Sequence, residues 1–274
     1  MNTLPGLIAS ISSSLKGAAM LRDGEQSGSE PWLVVGPMKF RSRLILGIEQ
    51  YVSAELVAKV LTASGCDVFI TTLDLEQTRT SLLLSDIDQS VPLDRFNWIG
   101  TTSFAHSKED ALKTVRSLRR AHGIEVFKLD VRPADNLPHN AQTVEAAQEL
   151  LNEGCAVMPF ILPDIQVARE LERMGCCALR IMAAPVASGR GLVDPKSLRQ
   201  VLDAVSIPVI VEGGLGSPAQ VAQAMELGAD AVLVNTAVAQ APDPVRMAEA
   251  MKHAVLAGRL AAVERQDAPV AAAG

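Results

Sequence analysis

The chain of 274 residues carries 25 Lys and Arg against 31 Asp and Glu, a formal charge of −6, and 48% of it is hydrophobic. That length and apolar fraction suffice for a sizeable core and exclude a disordered chain, a collagen-like repeat and a small disulfide scaffold. The acidic balance, with only six Phe, two Trp and one Tyr, also lacks the electrostatic footprint and stacking platforms of a nucleic-acid binder.

The first stretch, MNTLPGLIASISSSLKGAAM, has no basic start and is broken by Pro5 and four serines. It reads as a flexible leader over residues 1–30, not as a signal peptide. No apolar run approaches the roughly 20 residues of a membrane span, so no membrane association is expected. Next comes LVVGPMKF, with Gly36-Pro37 at its centre, which predicts a hairpin capping the floor of a barrel. From there one pattern repeats: a short β-branched apolar run, a polar turn, then an amphipathic stretch of helical period. The runs are 42–48, 67–73, 98–102, 125–131, 156–162, 178–184, 208–214 and 231–237. Helices are expected over Ser53–Ser64, Lys108–Ala121, Ala141–Asn152, Ile165–Met174, Pro195–Ala204, Pro218–Leu227 and Pro244–Leu256, with Pro195, Pro218 and Pro244 at tolerated first-turn positions. Glu76–Arg95, with Pro92, reads as an extended loop with a broken helix. Eight strand–helix units in about 230 residues predict a single-domain (β/α)8 TIM barrel over 31–262, followed by a disordered tail at 263–274.

In such a barrel the working residues stand at the C-terminal strand ends. Lys128, inside FKLDV, is an ammonium within a barrel strand; desolvation favours its neutral amine, a Schiff-base nucleophile. Period two puts Asp130 on the same face, as a proton carrier for imine chemistry or as the partner in a structural ion pair. Run seven ends in VEGGLGSP and run eight in VNTA, so the amides of Gly213 and Gly214, with donors from Asn235 and Thr236, predict an uncharged phosphate cradle; strand-to-helix turn chemistry is the alternative use of such glycines. Glu212 is a second candidate acid or base, and the compact loop Ala187, Ser188 and Gly189 closes on the same phosphate, whereas Arg190 reads as solvated. Thr102, His106 and His139, after strands three and four, are candidate pocket residues, although a solvated loop is the blander reading of the histidines. Cys66, Cys155, Cys176 and Cys177 show no CxxC spacing and no adjacent histidine pair; they read as core residues of a cytoplasmic protein without a metal site. GGLGSP is not a dinucleotide fingerprint, and no cofactor is expected.

The segments FRSRLILG, FKLDV, APVASGRGL and, above all, PVIVEGGLGSPAQVAQAMELGADAVLVNTAVA followed by DPVRMAEAMKHAVLAGRLA resemble the bacterial thiazole synthase family over about Phe40–Leu260. The resemblance implies that Lys128 forms an imine with a phosphorylated sugar, 1-deoxy-D-xylulose 5-phosphate in thiamine synthesis. It implies phosphate held by backbone amides at Ala187, Gly213, Gly214, Asn235 and Thr236. It further implies sulfur from a small ubiquitin-like carrier with a C-terminal Gly-Gly thiocarboxylate, docked on the C-terminal barrel face, and a homo-oligomer.

Departures cluster around the pocket. The family's Lys-Val-Glu or Lys-Leu-Glu is Lys128-Leu129-Asp130, its Val-Asp-Ala-Gly is Val211-Glu212-Gly213-Gly214, and its Gly-Thr-Gly-Lys-Tyr is Gly47-Ile48-Glu49-Gln50-Tyr51. Its Val-Arg-Arg is Thr72-Leu73-Asp74, its Asn-Thr-Ala-Gly is Thr101-Thr102-Ser103-Phe104, and the glycine of the strand-six loop is Ala187. An intact lysine and phosphate end beside an altered wall resembles relatives recruited to secondary metabolism, such as 2-thiosugar synthases acting on a hexose 6-phosphate. The rivals are thiamine thiazole synthase itself, a class I aldolase or phosphosugar isomerase working without sulfur, and a non-catalytic phosphosugar- or carrier-binding protein.

Overall fold

The computed structural model describes residues 30–51, 53–71 and 90–267. Every apolar run supplies a barrel strand: β1 (Leu44–Leu46), β2 (Val68–Thr71), β3 (Asn97–Thr101), β4 (Val126–Leu129), β5 (Ala156–Ile161), β6 (Leu179–Met182), β7 (Val209–Glu212) and β8 (Ala231–Val234). All neighbours are parallel. The order runs from β2 sequentially to β8, and β8 then pairs with β1 through Leu233 opposite Ile45, so β1 and β2 meet at the remaining seam of a nearly closed (β/α)8 barrel. Apart from β3, the regular strands are shorter than the apolar runs, because residues at the C-terminal end of the runs leave the ladder to form the cavity-lining loops.

Helices α1 (Ala54–Ser64), α2 (Lys108–His122), α3 (Asn140–Asn152), α4 (Ile165–Met174), α5 (Pro195–Ala204) and α6 (Pro218–Glu226) surround the sheet. Their starts are chemically fixed: Ser53, Ser107, Asp164, Asp194 and Ser217 accept backbone N–H bonds as N-caps, and Pro195 and Pro218 occupy the first turn. A short α7 (Thr236–Ala239) follows β8, and α8 (Pro244–Asp267) closes the fold. The helix expected to end at Leu256 continues to Asp267, into the span read as tail. Gly258 does not stop it. There the glycine allows close contact with α6, since a Cβ would strike the Ala222 carbonyl.

The hairpin pairs Leu33–Val35 with Met38–Phe40 in antiparallel register and lies at the N-terminal end of the barrel. The Asn97 amide at the start of β3 donates to the Lys39 carbonyl at 2.9 Å, Arg41 N–H donates to the Asp67 carboxylate at 2.7 Å, and Phe40 is fully buried. The bottom is thus sealed, leaving the other end to function. The predicted leader, apart from Glu30, the departure Thr72-Leu73-Asp74 and most of the loop Glu76–Arg95 lie outside the described residues, as does the tail beyond Asp267; of that loop, Leu93–Arg95 forms a single 3₁₀ turn. No described helix is long and apolar enough to cross a membrane.

Candidate active site

The C-terminal strand ends open into a cavity of about 700 Å³. Its floor is a buried charge cluster built by strand alternation. On β4, Phe127 and Leu129 are fully buried, while Lys128 and Asp130, on the opposite strand face, line the cavity with Glu212 from the end of β7. Lys128 Nζ lies 3.4 Å from both Asp130 oxygens, 3.7 Å from Glu212 Oε1 and 3.4 Å from Ser103 Oγ. Lys128, Asp130 and Glu212 are 6%, 1% and 4% exposed, so their attraction acts where water screens little.

Arg180 on β6 completes the cluster, and its guanidinium is the cation that joins the two carboxylates. Its Nε donates to Glu212 Oε2 at 2.8 Å, and Nη2 reaches Glu212 Oε1 at 2.7 Å and Asp130 Oδ1 at 2.8 Å. Nη1 donates to the Met158 carbonyl at 3.1 Å and the Leu129 carbonyl at 3.4 Å, and the guanidinium carbon sits 4.9 Å from the centre of the Phe160 ring. Arg132 adds a third cation, with Nε 3.2 Å from Asp130 Oδ2, Nη1 donating to Asn136 Oδ1 at 2.7 Å and Nη2 donating to the Ser103 carbonyl. Burial by itself would push the Asp130 carboxyl up; Arg180, then Lys128 and Arg132, outweigh it and hold the group well below the usual carboxylate range. Burial opposes the charge on Arg180, but Asp130 and Glu212 overcome it and raise its pKa. Sequence reasoning misses Arg180, although it carries the same signal as Lys128, a cation in the middle of a buried strand.

The other end of the cavity is made by loops. Gly213 and Gly214 have φ of 79° and 66°, a consecutive left-handed pair that only glycine adopts at little cost. Their carbonyls accept from Ala184 N–H and Gly191 N–H, which ties the β7 loop to the β6 loop. A Cβ on Gly213 would lie 2.6 Å from the Ala184 carbonyl, and one on Gly216 would lie 2.8 Å from Gly189 Cα. The glycines therefore serve loop-to-loop packing as well as close approach to a ligand. Ala187, Gly189, Gly213, Gly214, Gly216, Asn235 and Thr236 all line this end, and among the described residues no lysine or arginine of the same loops lines it with them. Ala187 takes φ 64°, where its Cβ is disfavoured. From the loop after β1, Glu49 Oε2 accepts from the Asn235 amide at 2.8 Å, and the Gln50 amide donates to Thr236 Oγ1 at 3.0 Å. Thus two of the departing residues engage the side chains of Asn235 and Thr236, whose backbone amides are expected to hold phosphate, leaving Thr236 its own O–H to donate.

The remaining candidates divide. His106 is exposed at the cavity rim with Nδ1 2.8 Å from the Arg132 carbonyl. His139 does not line the cavity; it is the N-cap of α3, its Nδ1 accepting from Gln142 N–H at 3.3 Å. Thr102 is buried away from the cavity, where its hydroxyl accepts from Asp130 N–H at 2.7 Å and donates to the Asp130 carbonyl at 2.8 Å, fixing that residue's backbone. Ser188 is exposed and does not line the cavity; its hydroxyl lies against Gly214. Burial pushes the thiols of Cys66, Cys176 and Cys177 up to about 12, which makes them poor nucleophiles. Among the described residues no group of three His, Cys, Asp or Glu side chains forms a metal site.

Known proteins resemble this chain over most of its length. The family model "Thiazole biosynthesis protein ThiG" matches residues 34–273. Thiazole synthase of Exiguobacterium sibiricum is 39% identical over 233 residues, covering 83% of this chain and 90% of its own length. That of Aquifex aeolicus is 37% identical over 246 residues, covering 88% and 91%. Among solved structures, a chain of the Amycolatopsis orientalis BexX/CysO complex is 57% identical, with a TM-score of 0.86 over 89% of this chain and 100% of that one. A 3-hexulose-6-phosphate synthase, 13% identical with a TM-score of 0.52, shares the fold alone.

Proposed function

Because the chain belongs to the thiazole synthase family, we propose that it is a sulfur-inserting synthase in which Lys128 forms an imine with a phosphorylated sugar. The observation that carries this reading is the cavity's two-ended construction. A buried lysine stands between two carboxylates at one end, and a glycine-lined cradle stands at the other. The sugar phosphate occupies the cradle of Gly213, Gly214, Ala187, Asn235 and Thr236, which leaves the carbonyl carbon to Lys128. Asp130 and Glu212 move the protons that convert carbinolamine to imine and imine to enaminol.

A hexose 6-phosphate is the favoured substrate and a 2-thiosugar phosphate the product. Lys128 adds to the open-chain C1 aldehyde, the carbonyl character passes to C2, and sulfur enters there. Glu49, Gln50 and Phe104 support this choice, because all three line the cavity at positions where the family carries other residues. A carboxylate and an amide suit a polyhydroxylated chain. The thiamine reading, with 1-deoxy-D-xylulose 5-phosphate, keeps the same opening step. An aldolase or isomerase reading predicts turnover without any sulfur donor.

The donor in this reading is a ubiquitin-like carrier whose thiocarboxylated Gly-Gly tail enters from the open barrel face, with the enzyme working as a homo-oligomer. The BexX/CysO complex supports a protein partner for a chain of this kind. The test is incubation with a thiocarboxylated carrier and either sugar phosphate, with product mass as the readout. A carrier-dependent thiohexose phosphate is expected. Sulfur incorporation from the pentulose alone would return the protein to thiamine synthesis, and carrier-independent turnover would end the sulfur reading.

A further inference from the structure

We propose that Arg180, which does not line the cavity, is a positioning residue that holds Asp130 and Glu212 as a matched pair of proton acceptors on either side of Lys128. The inference rests on the imine reading and deepens it.

Burial of a guanidinium inside a barrel layer has a large desolvation cost, and such layers are ordinarily filled by branched apolar side chains. Arg180 is 1% exposed, and a well-packed apolar residue beside Phe160 would serve stability as well. Its partners show what it does instead. One nitrogen, Nη2, contacts both carboxylates, at 2.8 Å from Asp130 and 2.7 Å from Glu212, while Nε fixes the second oxygen of Glu212. Two carboxylates brought together around one atom repel, and unaided one of them takes up a proton.

Lys128 cannot prevent this throughout a reaction cycle. As attacking amine it is uncharged, and it faces Asp130 and Glu212 with a positive charge only as the resting ammonium or the iminium. The guanidinium stays charged throughout. It therefore keeps both carboxylates ionised when Lys128 is not, in an orientation set by a planar fork. Each carboxylate retains lone pairs that the fork does not use. In the carbonyl shift, one of them takes the proton from C2, breaking the C–H bond and forming a carboxyl O–H. The same proton is then returned to C1 while the C2 hydroxyl gives its proton to the other carboxylate, so that the C1–N bond stays, C1 is reduced, C2 becomes the carbonyl and no outside oxidant is needed.

The experiment compares wild type, Arg180→Lys, Arg180→Met and the charge-balanced double variant Arg180→Met/Glu212→Gln, the last because a lone buried charge can unfold a domain. The first readout is carbon-13 titration of the side-chain carboxyls. The groups facing one another there are Lys128, Asp130 and Arg132 from the β4 side, Arg180 from β6 and Glu212 from β7. In wild type both carboxyls should stay ionised across the neutral range, and in folded Arg180→Met one should titrate within it. The second readout is the rate and pH profile of borohydride-trappable adduct on Lys128. Arg180→Lys should keep the KM for phosphosugar near that of wild type, because the cradle is untouched. Its rate should fall about a hundredfold, the scale on which misplacement by roughly 1 Å is felt, and the acid limb of the profile should move toward neutrality. A Lys variant that loses only thermal stability, with wild-type rate and profile, would overturn the inference. So would carboxyls that titrate alike with and without Arg180. Absence of any adduct in wild type would strike the imine reading instead, while the carboxyl titration still decides whether Arg180 holds the pair.

Discussion

At the β7–β8 end of the cavity, groups line the wall on glycine loops with neutral side chains; at the β4–β6 floor, three cations and two carboxylates interlock below the opening. The first arrangement suits a ligand charge that is present throughout, such as a phosphate, and it depends on backbone conformation. The second suits charge that appears and vanishes during chemistry, and it depends on side chains locked by one another. In the proposed reading one pocket separates holding from reacting, so each end should fail in its own way.

The largest effect is expected from Gly214→Ala. The new methyl would strike Ala184 Cβ at a backbone φ of 66°, and strain of this kind costs about 1–3 kcal/mol. Phosphosugar KM should rise steeply, while affinity for the unphosphorylated sugar stays level. Equal losses for both sugars would show that the glycine loops only pack. Thr102→Val tests the floor: it leaves the Asp130 backbone without two hydrogen bonds, at about 1–3 kcal/mol. Here the chemical rate should fall with KM unchanged, and a KM effect alone would break the division of labour.

Acid stability sharpens the comparison further. The Asp130 carboxyl is depressed in the folded protein, so its contribution is complete above about pH 4 and is lost as the pH falls below that through its folded value. Asp130→Asn should flatten the acid side of the stability curve measured by denaturant titration, and an unchanged slope would mean that the cluster is not ionised as drawn. The smallest effect belongs to Ala187→Gly. Relief of the left-handed alanine exceeds the entropy glycine adds to the unfolded chain, for a net gain within about 1 kcal/mol. The transition midpoint should rise slightly, and a fall would locate no strain at that loop.

The barrel is legible in the sequence because its units repeat one signal: an apolar run, a cap that is most often Ser or Asp, an amphipathic stretch. The glycine end is legible for a related reason, since Gly213-Gly214 states a backbone conformation in the sequence itself. Lys128, Asp130 and Glu212 are legible as charges in buried runs. Arg180 carries the same signal in ALRIMAA, yet its role stays hidden, because a strand residue shows its face but not its partner, and its partners lie on β4 and β7. His139 follows a strand as a pocket residue would, but its ring serves the α3 cap, a local role that competes with any site after a strand. Thr102 sits one strand over from Asp130, a pairing fixed only by register. The long continuation of α8 past Leu256 is masked by Gly258, whose meaning depends on the helix beside it.

The most direct test of the central claim is borohydride trapping with intact-mass and peptide analysis, offering glucose 6-phosphate and 1-deoxy-D-xylulose 5-phosphate in parallel, with Lys128→Ala as the control. A lysine-centred hexose phosphate synthase predicts a reduced hexose phosphate adduct on the peptide containing Lys128, weak labelling by the pentulose and none in the variant. A preference for the pentulose would contradict the assigned substrate, and an adduct that persists in Lys128→Ala, or fails to form with either sugar, would contradict the role of the lysine itself.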